Sequence, residues 1–171
     1  MKFSRSLFFT LFLGASFLIG CGMQKEMPSV GASGQLQGEQ YFTLKNLAGE
    51  DVALKTLLAG KKAVLVNFFA TWCPPCREEI PDLIQLHNHY ASKGFSVVGV
   101  DAEESVAKVS PFVQKFKITY PVLLDSEAQA TNAFGLVGIP TTFLIDSHGN
   151  IVGEYHAFTP KLVSDVEKLL Q

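Results

Sequence analysis

Residues 63–69 read Ala-Val-Leu-Val-Asn-Phe-Phe, an apolar run interrupted only by Asn67. Such a run marks a strand buried on both faces, the place of a central strand with helices on either side. A second run of this kind spans Phe95 to Val100. Between them, Pro74 to about Ser92 has helical spacing, with Ile80, Leu83, Ile84 and Ala91 on one stripe. Ser110-Pro111 reads as a capped helix start running to about Phe116, and Val122 to Leu124 as a short strand. Glu127 to Phe134 reads as a short helix stopped by Gly135. Tyr41–Leu44 and Val52–Leu54 flank a turn at Ala48-Gly49, and Thr141–Asp146 and Ile151–Tyr155 flank one at Ser147–Asn150. Thr159-Pro160 caps a last helix reaching Leu170. Strands alternating with helices, closed by a hairpin and a helix, predict one α/β domain built on a mixed sheet flanked by helices.

The first forty residues read differently. Lys2 and Arg5 precede the apolar run Leu7 to Ile19, and Gly20-Cys21 follows. A basic start, a short apolar core and a small residue before the cut describe a secretory signal over residues 1–20. Leu18-Ile19-Gly20-Cys21 also resembles the bacterial lipobox, which implies that Cys21 is lipidated and anchors the chain. The competing reading is an uncleaved membrane anchor, because Ser6 to Gln24 carries no charge. Either way the leading positive charges stay inside, so the remainder lies outside the cytoplasm. Gly22 to about Gln40 is rich in Gly, Ser and Gln and reads as a flexible tether, with the domain proper spanning residues 39–171. Without residues 1–20 the chain holds 12 basic residues against 16 acidic ones, a net charge of −4 with no basic cluster. Nucleic acid has nothing to hold there.

The chain has three cysteines, and two of them stand at positions 73 and 76 with only Pro74 and Pro75 between. A structural zinc site wants four Cys or His ligands. His87 and His89 are two apart on a helix and face different ways, and His87 falls on the apolar stripe. A purely structural disulfide closing so short a loop constrains the unfolded chain very little. The third reading is a reagent. The strand delivers Cys73 to the N-terminus of the following helix, where partial positive charge favours a thiolate by ~0.3–2 kcal/mol. Cys76, one turn in, is placed to resolve a mixed disulfide. Pro74 and Pro75 lack N–H groups, so the Cys76 amide is the first that can solvate the Cys73 sulfur. Fewer donors stabilise the reduced form less, and the pair becomes a better electron donor.

These residues carry a resemblance. Asn67 to Cys76, Pro81 and Gly138-Ile139-Pro140-Thr141 resemble the thioredoxin superfamily, in particular its membrane-tethered TlpA/ResA/CcmG(DsbE)-like branch. The match covers about residues 38–171. It implies a thioredoxin-like fold with an N-terminal hairpin and a central helix–strand insert at about Glu103 to Asp125. It implies a cis Ile139–Pro140 peptide facing Cys73, with Trp72, Ile139 and Pro140 meeting the substrate. Glu79 matches the acidic residue that this branch carries three positions after the second cysteine. The placement puts it on the face of Cys76, where it can pass a proton. An ordinary first-turn acid answering the helix dipole is the alternative. Asn67 stands where thioredoxin proper has a buried aspartate, so a proton relay must come from elsewhere. His156 replaces a glycine common in the substrate groove, and either narrows that groove or faces water.

The resemblance implies a monomeric, cofactor-free thiol–disulfide oxidoreductase, lipid-anchored outside the cytoplasm. Its substrates would be disulfide-bearing exported proteins, apocytochrome c among them. Its electrons would come from a membrane donor of the DsbD/CcdA type. Two rivals remain: a peroxiredoxin-like peroxidase, for which Thr71 is misplaced by two residues, and a copper or haem handling module using the cysteine pair.

Overall fold

In a computed structural model the described residues are 34–171, and they form one eight-stranded sheet with five α-helices. The signal segment, Cys21 and the first part of the tether lie outside the described residues. In chain order the elements are β1 (Gly34–Gln35), β2 (Thr43–Asn46), β3 (Asp51–Ala53), α1 (Leu54–Leu58), β4 (Ala63–Phe69), α2 (Pro74–Tyr90), β5 (Phe95–Ala102), α3 (Val106–Phe116), β6 (Val122–Asp125), α4 (Gln129–Ala133), β7 (Thr141–Asp146), β8 (Asn150–Tyr155) and α5 (Pro160–Leu170). The strand order is β1-β8-β7-β4-β5-β6-β2-β3. β4, β5 and β6 run parallel, and every other pairing is antiparallel.

β4 is central and buried at all seven positions, as its composition requires. Its alternation divides the core in two. Leu65 and Phe69 enter the layer with Ile80, Leu83 and Leu86 of α2, Val109 of α3 and Val166 of α5. Val64, Val66 and Phe68 enter the opposite layer with Leu54, Ala130, Phe134 and Phe143. Asn67 shares the α2 side with Leu65 and Phe69. The one polar residue of the central strand therefore points toward the helix that begins at the cysteines.

Several expectations need correction. Leu36 is 2% exposed, and residues 34–35 pair with β8, so regular structure is present within the stretch whose composition reads as a tether. The insert helix begins at Val106 behind Ser105, not at Ser110, and Pro111 lies inside it. A proline there costs about 3 kcal/mol. Burial of Val109 and Phe112 offsets that, each contributing about 1.5–3 kcal/mol. Val52–Leu54 is divided, because Leu54 opens α1, which local composition does not announce. On α2 the buried stripe runs Cys76, Glu79, Ile80, Leu83, Leu86 and Tyr90; Ile84 is half-buried, and Ala91 is exposed beyond the helix.

Candidate active site

β4 ends at Phe69, and the chain turns through Ala70, Thr71 and Trp72 into Cys73. Cys73 is the N-cap of α2, with extended backbone (φ −81°, ψ 111°) and Pro74 and Pro75 in the first turn. Its amide donates to Ala70 O at 3.2 Å, and its carbonyl accepts the Arg77 N–H at 3.2 Å. Prolines fit there because the first amides of a helix have no internal acceptor anyway. The Cys76 N–H donates to Cys73 Sγ at 3.3 Å. The two sulfurs are joined at 2.12 Å. Cys76 is fully buried and Cys73 is 2% exposed. Trp72 beside them is 65% exposed.

The Ile139–Pro140 peptide is cis, and Ile139 O lies 3.9 Å from Cys73 Sγ. The preceding residues Leu136 to Ile139, with Trp72, Glu103, Glu104 and Lys108, line a groove of about 470 Å³. Val137 stands 95% exposed at this groove. On the other side, Pro75, Glu78, Glu79, Asp82, Pro140 and His156 line a smaller cleft of about 200 Å³. His156 borders this cleft rather than the groove beside Trp72, and 62% of its side chain is exposed. Its Nδ1 lies 3.2 Å from Thr141 Oγ1.

Glu79 sits one turn past Cys76 and is 6% exposed. Its Oε1 accepts the Asn67 Nδ2–H at 2.7 Å, and the same amide donates to Thr142 Oγ1 at 2.9 Å. Burial pushes the Glu79 carboxyl up to about 7, against the opposing pull of the Asn67 hydrogen bond. Asn67 thus anchors the Glu79 carboxyl group. A carboxyl with this value changes protonation within the working pH range, the property a proton-transfer group needs. His87 is half-buried, its Nδ1 accepting from the Val97 N–H at 3.1 Å.

The sequence reading missed a second pair of acids. Asp101, at the end of β5, is fully buried, and Glu104 is 5% exposed. Glu104 accepts from the Thr71 N–H at 2.6 Å and from the Thr71 hydroxyl at 2.9 Å. The signal available in sequence was three acids in Asp101 to Glu104, directly after an apolar strand. Nothing local distinguishes that from a solvated loop. Among the described residues no group of three or more His, Cys, Asp and Glu is arranged to hold a metal ion.

Residues 38–153 match the AhpC/TSA family. The chain is 34% identical over 137 residues to the thiol-disulfide oxidoreductase ResA of Halalkalibacterium halodurans, covering 78% of this chain and 77% of that protein. It is 35% identical over 111 residues to ResA of Bacillus subtilis, covering 65% of this chain and 61% of that protein. A crystal structure of a thiol:disulfide interchange protein of the thioredoxin family from Chlorobium tepidum superposes with TM-score 0.66 at 38% identity, over 76% of this chain and 93% of that one. The thioredoxin domain of a thiol-disulfide oxidoreductase from Bacteroides vulgatus gives TM-score 0.71 at 26% identity, over 81% and 99%. With its cysteine pair bonded at the head of α2 on a thioredoxin-like sheet, the chain belongs to the AhpC/TSA family and, within it, to the ResA/DsbE-like thiol–disulfide oxidoreductases.

Proposed function

We propose that the protein is an extracytoplasmic reductant of protein disulfides, held to the membrane by a lipid on Cys21 and recharged by a membrane donor of the DsbD/CcdA type. The observation that carries this reading is the environment of Cys73 Sγ. It is an N-cap atom with one N–H donor, that of Cys76, because the two residues between are prolines. The helix terminus favours the thiolate enough for attack, while the missing amides keep the dithiol from being over-stabilised.

The chemistry balances as two exchanges. The Cys73 thiolate attacks one sulfur of a substrate disulfide; a Cys73–substrate bond forms and the other substrate sulfur leaves as a thiolate. Cys76 loses its proton to Glu79 and attacks Cys73 Sγ, releasing the second substrate thiol and leaving Cys73–Cys76 oxidised. Two electrons pass to the substrate. Trp72 and the Ile139–Pro140 backbone border the point of entry, and Ile139 offers its carbonyl beside the sulfur. Exported proteins with solvent-reachable disulfides fit such an open groove, apocytochrome c with its Cys-x-x-Cys-His site among them. The peroxidase alternative is disfavoured by the Thr71 hydroxyl, which is spent on Glu104.

Cys76→Ser removes resolution and leaves attack intact, so it should hold the substrate covalently until dithiothreitol releases it. Cys73→Ser should trap nothing. Equal trapping by both variants contradicts the assignment. Trapped apocytochromes mean cytochrome maturation; a broad set of exported proteins means general reduction. Copper or haem retained through purification, with no trapping, favours the metal-handling reading. Cys21→Ser should leave the membrane fraction as an active domain, and its retention there uncleaved contradicts the lipid anchor.

A further inference from the structure

Thr71, two residues before Cys73, spends both of its donors on one carboxylate: its N–H on Glu104 Oε2 and its hydroxyl on Glu104 Oε1. Two oxygens that both accept is the pattern of a carboxylate. Glu104 lies just beyond the end of β5, 33 residues away, so this contact ties the active-site loop to the base of the insert. The backbone that presents it is itself fixed. The Glu104 N–H donates to Asp101 Oδ1 at 3.1 Å, and its carbonyl accepts the Ser126 hydroxyl at 3.2 Å. Glu103 just before it holds a left-handed φ of +65°, unusual for a residue with a side chain, and donates its N–H to Asp125 O at 3.2 Å.

Asp101 is the odd member. It is fully buried opposite Phe69 and Leu124 in the sheet, and its Oδ2 has no partner among the described residues. Burial of an unpaired oxygen beside another carboxylate favours the neutral acid.

We propose that Asp101 and Glu104 form a proton-operated latch on the active-site loop: Glu104 is a positioning residue that holds Thr71, and through it Trp72 and Cys73, while Asp101 is neutral, and ionisation of Asp101 loosens that hold. Like charges then confront each other in a dry site, and the group free to move is the Glu104 side chain. Its release would widen the groove that Trp72, Glu104, Lys108 and Ile139 line. Burial, then the charge of Glu104, push Asp101 up to about 8, which places the change just above neutral pH.

The other charged groups facing the pair do not remove this conflict. Lys108 of α3 is 4.0 Å from Glu104 Oε1 and favours ionisation of Asp101, but its side chain is 69% exposed and screened. Asp125 of β6 is spent on the N-terminal amides of α4 through Ala130 and Thr131. The exposed Glu103 adds a further like charge. The active-site loop contributes only cysteines, which do not titrate when joined. Glu79 on α2 answers to Asn67, Phe158 and Asp82 instead.

Trp72 is the sole tryptophan and sits next to Thr71, so it reports the latch directly. The test uses the oxidised full chain with no substrate, which separates it from the redox reading above. It is run in a Glu79→Gln background so that only one acid titrates nearby. Emission between pH 6 and 9.5 should show one transition with a midpoint near 8. Asp101→Asn should abolish the transition, and so should Glu104→Gln. In parallel, hydrogen exchange at the Thr71 amide, corrected for base catalysis, should accelerate at least tenfold across the same range without any change at Asp101 or Glu104. Flat emission, a transition that survives Asp101→Asn, or Thr71 protection unchanged to pH 9.5 each overturns the latch. Should a variant fail to fold, the exchange measurement on the chain with Asp101 and Glu104 intact decides alone.

Discussion

Two buried acids, Glu79 and Asp101, lie on different sides of the active-site loop, and their surroundings differ. Glu79, on the α2 side, meets a polar cradle: Asn67 grips one oxygen and is itself held against Thr142. Asp101, on the insert side, meets another carboxyl group and a dry sheet, and one of its oxygens has no partner among the described residues. Burial raises both, to about 7 and about 8. Glu79 stands on the same buried face of α2 as Cys76, where the proposed resolution step needs a proton moved. Asp101 reaches the chemistry only through Glu104 and Thr71. The proposed proton carrier and the proposed latch thus differ in their hydrogen-bond partners rather than in depth.

The largest expected effect separates the two by rate. Glu79→Gln should slow resolution of the mixed disulfide by about 10²-fold, the usual contribution of a positioned acid or base. Its rate should lose the pH dependence centred near 7. Asp101→Asn should stay within about threefold of the unaltered chain, since no proton passes through it. Stopped-flow measurement from pH 6 to 9 checks both. Equal losses would erase the distinction.

A smaller effect should appear in stability. Both carboxyls bind protons more tightly in the folded state than in the unfolded chain, where they return to ordinary values. The folded state therefore carries extra protons between about pH 3.8 and 8, and stability falls as pH rises through that window. Each group contributes a slope of at most about 1.4 kcal/mol per pH unit. Denaturant melts of the oxidised chain should show the decline, with Glu79→Gln flattening it only below about pH 7 and Asp101→Asn flattening it throughout, up to about pH 8. Stability rising from pH 5 to 8 contradicts both assignments.

The smallest effect belongs to His156, which borders the Glu79 cleft but pairs with Glu154 in water at 3.5 Å. Such an exposed pair is worth about 0–1 kcal/mol. His156→Ala should change turnover by at most about fivefold, and a larger loss would make it part of the groove's working surface.

What could be read from sequence follows from how local each signal is. β4, the start of α2, the β7–β8 hairpin and α5 announce themselves through an apolar run, prolines after a cap, and turn residues, all within a few positions. The cysteine pair is local too. The start of α3 was misplaced because Ser110-Pro111 imitates a cap, while the true start at Val106 is settled by burial of Val109 and Phe112 against distant strands. Leu36 reads as tether and is core, because what covers it is folded later in the chain. Glu104 was invisible for the same reason: its partner Thr71 is 33 positions away. Glu79 was legible in position, while its hold on Asn67 needed the packing of α2 on β4.

The single amide at Cys73 Sγ is proposed to make the pair an electron donor, and redox equilibrium measures that property. The domain is equilibrated with glutathione at roughly −180 to −210 mV, an oxidising extracytoplasmic poise, and its free thiols are counted after acid quenching. Predominantly oxidised Cys73–Cys76 is the expected result, because a pair of lower potential surrenders its electrons to that buffer. Predominantly dithiol protein would contradict the account and make the protein an oxidant.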